Sequence, residues 1–291
     1  MRILIFGATG MLGHKLVQVL GRSAEVWGSL RGPIDTIKEY DIFNTDRLVD
    51  NIDAADEGSI RRALDQVRPD VVINAVGIVK QLPTSKDVIT ALTINSIFPH
   101  RLAQLSEEYG YRLLTVSTDC VFDGVKGNYS EADAPNATDL YGKSKELGEV
   151  TNGCCITLRT SIIGRELGTS HSLVEWFLGS EGKQVKGFTK AIYSGFPTIV
   201  LADIINDLVF SFPDMAGLYH VSSDPINKYE LLGLLQRCYG SDIEIEPSDE
   251  LHIDRSLNSA RFRQATGFRP ESWESMVEKM ASDATPYGKW H

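Results

Sequence analysis

The chain opens on an apolar run, Ile3-Leu4-Ile5-Phe6, that passes directly into Gly7-Ala8-Thr9-Gly10-Met11-Leu12-Gly13. Few features limit a fold more. Four consecutive apolar residues without alternation read as a strand buried on both faces. Glycines spaced G-x-x-G-x-x-G suit a tight turn from that strand into a helix. Gly7 serves the turn, Gly10 lets backbone approach a phosphate, and Gly13 lets the helix pack closely on the strand. A strand buried on both faces needs covering layers above and below it, so this opening already calls for an α/β architecture.

The rest of the N-terminal half continues the alternation. Leu12, Leu16, Val19 and Leu20 predict a helix over 11–21, and 25–30 reads as a second strand. Residues 32–51 are irregular and polar, with room for a short helix. A helix over 59–67, a strand over 71–73, a helix over 87–109, a strand over 113–116, a helix over 140–149 and a strand over 155–158 follow. We therefore expect an α/β fold with a Rossmann-type doubly wound parallel sheet over 1–163. The pattern changes after Arg159. Residues 164–291 are expected to be mainly a smaller substrate-binding region, with a part near 199–221 returning to the first domain. Helices over 199–212 and 228–239 and a strand over 217–221 are expected there.

Composition narrows the function classes. A net charge of −10 and a pI near 5.1 argue against nucleic acid or an anionic membrane as the main partner. The opening apolar run is too short for a signal-peptide core, and no stretch is long enough to span a bilayer, so a cytoplasmic location is expected. Cys120, Cys154, Cys155 and Cys238 include no C-x-x-C pair, and no metal is expected. Asp249, Glu250 and Asp254 read as a solvated acidic loop. The oligomeric state is left open, a homodimer among the options.

Several residues are placed to hold a dinucleotide. The run Thr9, Gly10, Met11, Leu12 and Gly13 offers backbone N–H groups at a helix start. No acidic residue closes the second strand; Ser29-Leu30-Arg31 stands there instead. An arginine at that point can pair with a 2′-phosphate, which favours NADPH and leaves NADH as the alternative. Asp53 can bond an adenine amino group or cap the helix that follows it. Ala75, Val76 and Gly77 follow the 71–73 strand, and their small size lets backbone approach the cofactor.

Chemistry concentrates further along. Ser117 and Thr118 end a strand, where a hydroxyl can meet a substrate oxygen, and Ser117 is also a candidate cofactor contact. Tyr141 and Lys145 are four residues apart, which puts both on one face of a helix. A lysine ammonium beside a phenol favours the phenolate and draws the phenol pKa towards neutrality, as proton transfer to oxygen requires.

Taken together, Ser117-Thr118-Asp119-Cys120-Val121-Phe122-Asp123-Gly124, Tyr129-Ser130-Glu131, Tyr141-Gly142-Lys143-Ser144-Lys145, Gly148-Glu149, Leu158-Arg159-Thr160-Ser161, Gly195-Phe196-Pro197-Thr198, Gly217-Leu218-Tyr219-His220 and Leu257-Asn258 resemble the extended short-chain dehydrogenase/reductases. More closely they resemble the dTDP-4-dehydrorhamnose reductase family, over nearly the whole chain. The resemblance implies a nicotinamide-dependent oxidoreductase acting on a nucleotide-linked 4-keto-6-deoxysugar in deoxysugar and surface-polysaccharide synthesis. It implies that Thr118 orients the ketone, Tyr141 protonates it, and Lys145 tunes the tyrosine and bonds the nicotinamide ribose. It also implies that Asn95 serves proton relay, that Arg159, Thr160 and Ser161 lie near the nicotinamide, and that Ser194 and Pro197 line the substrate pocket beside Asp119, Cys120, Val121 and Phe122.

Three segments depart from the family: Cys120 stands where a tyrosine is usual, and residues 78–86 and 164–171 are unlike their counterparts. Lys80 and His171, within those segments, are candidate substrate contacts. A nucleotide-sugar epimerase or dehydratase on the same scaffold is the second reading. A non-catalytic regulatory subunit, like that of methionine adenosyltransferase, is the third.

Overall fold

The computed structural model describes residues 1–78 and 86–290. The first half runs β1 (Arg2–Phe6), α1 (Gly13–Leu20), β2 (Glu25–Ser29), β3 (Leu48–Val49), α2 (Glu57–Val67), β4 (Val71–Asn74), α3 (Val88–Leu92), α4 (Phe98–Tyr109), β5 (Arg112–Thr118), α5 (Leu140–Leu147) and β6 (Ile156–Thr160). The second half runs β7 (Ile162–Ile163), α6 (Leu173–Leu178), β8 (Gln184–Phe188), β9 (Ala191–Tyr193), β10 (Phe196–Pro197), α7 (Thr198–Ser211), β11 (Gly217–His220), β12 (Ile226–Asn227), α8 (Lys228–Tyr239), β13 (Glu244–Ser248), β14 (Ile253–Asp254), α9 (Ala260–Thr266) and α10 (Trp273–Ala281). The chain forms two compact units: Met1–Ser117 with Asp139–Leu158 and Ala202–Leu218, and Thr118–Thr138 with Arg159–Leu201 and Tyr219–His291.

The main sheet has seven strands in the order β11-β6-β5-β4-β1-β2-β3. β1 pairs in parallel with β2 on one side and with β4 on the other. From that point β3 extends the sheet one way and β5 the other, both parallel. The strand order thus reverses between β1 and β4. In a doubly wound sheet such a reversal opens a crevice beyond the carboxyl ends of the two strands. Phe6-Gly7 and Asn74-Ala75 stand at those ends, which is why the glycine turn and the small residues after β4 meet.

The core of the first unit explains why β1 carries no polar residue between Ile3 and Phe6. Leu4 and Phe6 pack with Val72 and Leu113 from neighbouring strands, and Ile60, Leu64, Phe98 and Leu102 cover them from α2 and α4. Phe6 and Phe98 meet edge to face, ring centroids 5.5 Å apart at 83°. Each such fully buried side chain contributes roughly 2–3 kcal/mol of apolar transfer. Side chains close the helix starts: Asp56 accepts from Gly58 N ahead of α2, and Asp139 from Gly142 N ahead of α5.

Two sequence expectations are refined here. The single helix expected over 87–109 is α3, then a π turn at Thr93–Ile97, then α4. Pro99 supplies the reason: with no N–H it cannot donate to the Asn95 carbonyl four residues back. The ladder widens instead, and Phe98 N bonds Thr93 O. The irregular 32–51 stretch contains β3, a two-residue strand too short to leave a pattern.

In the second unit the strands are short and form three small sheets: β7 with β10, β8 with β13, and β9 between β12 and β14. Phe262 and Phe268 meet edge to face at 5.7 Å, and Phe196 joins Phe268 at 5.9 Å. Among the described residues no helix is long and apolar enough to cross a membrane.

Candidate active site

The glycine turn is shaped for an anion. Gly7 has φ +86°, a left-handed conformation costly for other residues, and Gly10 N bonds back to its carbonyl at 3.0 Å. A Cβ at Gly13 would lie 1.9 Å from Gly7 O, so the helix can approach only because no side chain is there. Among the described residues a Cβ at Gly10 would meet only Gly7 O, at 3.3 Å, and the residue is exposed. α1 starts without a side-chain cap, unlike α2 and α5. His14 N already bonds Gly10 O at 3.1 Å, so a phosphate would meet the N–H groups ahead of it, through Gly13. Thr9 and Met11 are half-buried beside the turn, and Leu12 packs inward.

Arg31 is exposed, with no hydrogen bond or ion pair among the described residues. Ser29, just before it, accepts from Gly7 N at 3.3 Å. Asp53 does not cap α2; Asp56 does. Asp53 instead accepts from Ala55 N at 2.9 Å and remains exposed. Across the crevice, a Cβ at Gly7 would stand 3.1 Å from Val76 Cγ2 and 3.2 Å from the Ala75 backbone, so the β4 end abuts the turn.

The same strand end reaches the lysine. A Cβ at Gly77 would lie 3.7 Å from Asn95 Oδ1 and 3.8 Å from Lys145 Nζ. The Asn95 amide oxygen accepts from Ile78 N at 3.0 Å, and its nitrogen donates to Ser144 Oγ at 3.0 Å. Its backbone carbonyl, released by Pro99, faces α5 so closely that a Cβ at Gly148 would sit 1.8 Å away. This is the reason for glycine in the Gly148-Glu149 pair.

Lys145 donates to Val116 O at 2.8 Å. Part of its stem meets solvent, but the ammonium end is withdrawn from it, and burial brings its pKa down to about 8, against the pull of Glu149. Glu149 also accepts from Ser117 Oγ at 2.7 Å, which engages a hydroxyl expected at the cofactor. Tyr141 lies one turn before Lys145 on α5.

The second unit opens at Thr118. Its hydroxyl accepts from Cys120 N at 3.1 Å and donates to Asp119 Oδ1 at 3.2 Å. Asp119 is buried, and desolvation raises its pKa despite Arg255 and the neighbouring donors. Val121 and Phe122, expected as substrate contacts, are instead core residues: both are fully buried with Tyr129 and Leu257, and Phe122 stacks on Tyr129 at 4.1 Å. Their apolar character reflects packing.

Arg159, expected near the nicotinamide, is buried over the Phe122 ring at 5.3 Å and contacts His220 Nε2 at 3.2 Å. His220 Nδ1 lies 2.9 Å from Tyr129 O. The arrangement fixes a neutral tautomer, with Nδ1–H donating to the carbonyl and Nε2 accepting from the guanidinium. Ser194 is buried, and its hydroxyl accepts from Leu257 N at 3.0 Å, so it ties chain segments together. Thr160 and Pro197 are buried, Ser161 and Cys120 half-buried. His171 is exposed, its N–H held by Glu166 at 2.8 Å. Lys80 lies outside the described residues. Tyr193, in β9, was not singled out from the sequence; a lone tyrosine in a three-residue strand leaves no motif.

The chain is similar over most of its length to known proteins. The family model described as RmlD substrate binding domain matches residues 1–285. The spore coat polysaccharide biosynthesis protein SpsK of Bacillus subtilis strain 168 is 27% identical over 292 residues, covering 96% of each chain. A dTDP-4-dehydrorhamnose reductase of Aggregatibacter actinomycetemcomitans is 25% identical over 310 residues, covering 97% of this chain and 99% of its own. The crystal structure of dTDP-4-dehydrorhamnose reductase from Bacillus anthracis strain Ames, in complex with NADP, superposes with a TM-score of 0.78 at 22% identity, covering 96% of this chain and 98% of that one, a likeness of fold. With a glycine turn, a strand-order reversal and a Tyr-x-x-x-Lys helix already in view, the whole-length family match completes the assignment: the chain belongs to the RmlD substrate binding domain family of extended short-chain dehydrogenase/reductases, which are NAD(P)-dependent oxidoreductases.

Proposed function

We propose that this chain is an NADPH-dependent reductase of a nucleotide-linked 4-keto-6-deoxysugar, serving surface-polysaccharide synthesis. The observation that carries the reading is the position of Lys145. A withdrawn ammonium stands beside Gly77 and Asn95, at the crevice end of β4, one helical turn from Tyr141.

The residues fit a dinucleotide. The Gly10–Gly13 backbone would hold the pyrophosphate, Arg31 the 2′-phosphate, and Ala75–Gly77 would let the cofactor lie close to β4. When bound, the dihydronicotinamide supplies a hydride. This chain supplies the proton. Lys145 favours the anionic product of proton loss from Tyr141, which makes that phenol a stronger acid towards a ketone oxygen. Thr118 offers its hydroxyl to the same oxygen. Asn95 holds Ile78 N and Ser144 in place and keeps its carbonyl turned to α5. The names of the relatives support both the sugar class and the polysaccharide context.

The test is NADPH consumption with a dTDP-4-keto-6-deoxysugar by the native protein and by Tyr141→Phe. We expect stoichiometric oxidation by the former. For the variant we expect a loss of ~100-fold or more in kcat, the usual weight of a general acid, with NADPH binding kept. Conversion of the sugar without net NADPH oxidation would point to an epimerase or dehydratase. Equal turnover by Tyr141→Phe would remove the mechanism.

A further inference from the structure

The second unit contains a hydroxyl that the mechanism above leaves without work. Tyr193 is only 8% exposed, and its Oη is buried with no partner in hydrogen-bonding geometry among the described residues. A buried polar group left in this state calls for an explanation. Its place is built: a Cβ at Gly195 would lie 2.2 Å from Tyr193 Oη and 2.1 Å from Ser161 O, so the glycine makes room for the hydroxyl. β9 is paired on both sides, and the Tyr193 ring packs on Trp273 at 5.6 Å. The side chain is held there by its strand and its neighbours.

Thr118 presents the complementary problem. A hydroxyl has one proton to give. In this structure that proton goes to Asp119 Oδ1, while the Cys120 N–H occupies one lone pair. If Thr118 is to donate to a ketone, as the function proposed above requires, Asp119 must release it. Asp119 is 6% exposed, and a buried carboxylate that loses a donor incurs the full desolvation penalty of the unmet oxygen. Ser161 and Cys120 already serve this carboxylate, so the oxygen that Thr118 leaves needs a further donor.

We propose that Tyr193 is a positioning residue for Thr118: its buried hydroxyl, with Ser161 beside it, takes over as donor to the Asp119 carboxylate when the Thr118 proton turns to the substrate ketone. Burial first, and the Asp119 charge second, push the Tyr193 pKa well above its ordinary value, so the hydroxyl keeps its proton. Ser161 acts on both groups. The other charges and titratable groups facing Asp119 are Arg255, following β14, Cys120, in its own turn, and Lys228, at the start of α8. Among the described residues these are two cations and a thiol.

Two experiments test this, one of them free of substrate. Thermal unfolding is measured for Thr118→Val, Tyr193→Phe and the double variant. Tyr193→Phe alone removes a buried hydroxyl that stands beside Ser161 without good hydrogen-bond geometry among the described residues, and is expected to leave Tm unchanged or higher. Thr118→Val alone is expected to be mild, because Tyr193 takes its place at Asp119. The double variant removes the Thr118 and Tyr193 hydroxyls together and is expected to lose ~3 °C or more beyond the sum of the single changes. Additive shifts would overturn the proposal, whatever the protein's substrate.

In turnover with the ketosugar, Tyr193→Phe is expected to lower kcat ~10-fold or more, the usual worth of one hydrogen bond to a charged group, with NADPH Kd unchanged. The deficit should shrink as pH falls, because a protonated Asp119 no longer needs a donor and leaves the Thr118 proton free. A residue that merely packs would change neither kcat nor the pH profile, and that result would also overturn the proposal. A native protein inert towards every ketosugar would count against the function itself, while the unfolding cycle would still decide the role of Tyr193.

Discussion

Two glycines of one turn should fail in opposite ways. At Gly13 an added Cβ would lie 1.9 Å from Gly7 O, 2.8 Å from Gly7 C and 3.1 Å from Ala8 C, all backbone atoms that cannot rotate aside. Overpacking against fixed neighbours costs about 3 kcal/mol. For a chain of this size each kcal/mol moves Tm by ~2–4 °C, so Gly13→Ala should lower Tm by ~6–12 °C before any ligand is added. At Gly10 the only contact among the described residues is Gly7 O at 3.3 Å, and φ is not left-handed. Gly10→Ala should change stability by no more than ~0.5 kcal/mol, like other exposed substitutions. Its methyl group would instead stand over the N–H groups proposed to meet the pyrophosphate. Losing one or two charge-assisted hydrogen bonds weakens binding by roughly 2–3 kcal/mol, or ~30–150-fold in Kd. Thermal unfolding without ligand, paired with calorimetric titration of NADPH, separates the two effects. A Gly10→Ala protein that binds NADPH as tightly as the native one would refute the reading of the turn. So would a Gly13→Ala protein with native Tm.

The remaining predictions concern the lysine, its glycine neighbour and the arginine. Lys145 has a folded pKa near 8, below its ordinary value. Ketone reduction should therefore decline as pH rises through about 8. Between that pKa and the ordinary lysine value the unfolded chain holds more protons at this site than the folded one, so the site's contribution to stability rises with pH. The stability of the native protein relative to Lys145→Met should accordingly climb across that window while activity falls, measured by unfolding midpoints and kcat/KM profiles. Gly148→Ala drives a methyl group to within 1.8 Å of the Asn95 carbonyl. It should lower Tm and turnover together, whereas an alanine at the contact-free Gly153 position should strain only its own left-handed turn. Arg31→Ala should weaken NADPH roughly 10-fold and leave NADH nearly unchanged, as expected for one charged pair at an exposed site. Equal losses for both cofactors would mean that Arg31 does not read the 2′-phosphate.

Much of the first unit was legible because its signals are local. β1, α5 and α8 lie where residue spacing puts them, and the glycine turn lies between the strand and helix that the motif predicts. The π turn was not visible as such, although Pro99 and Asn95 together contain its cause. The second unit hides its architecture in strands of two to five residues, below the length at which alternation can be counted. Site residues divided along a related line. Lys145, Asn95 and Gly77, distant in sequence, lie together in the structure. Val121, Phe122, Arg159 and Ser194 sit within or beside family motifs, and a motif does not reveal whether a residue serves packing or ligand. Tyr193 became visible only once burial and the space at Gly195 could be compared.

The central claim is that a hydride passes to a sugar carbonyl carbon while Tyr141 protonates its oxygen. Turnover of a nucleotide-linked 4-ketosugar with NADPH deuterated at the transferred position of nicotinamide C4, read by NMR of the product, tests it directly. The account predicts one deuterium on sugar C4 in each product molecule and none with Tyr141→Phe under the same conditions. Product formed without deuterium, with the label still on the cofactor, would contradict it.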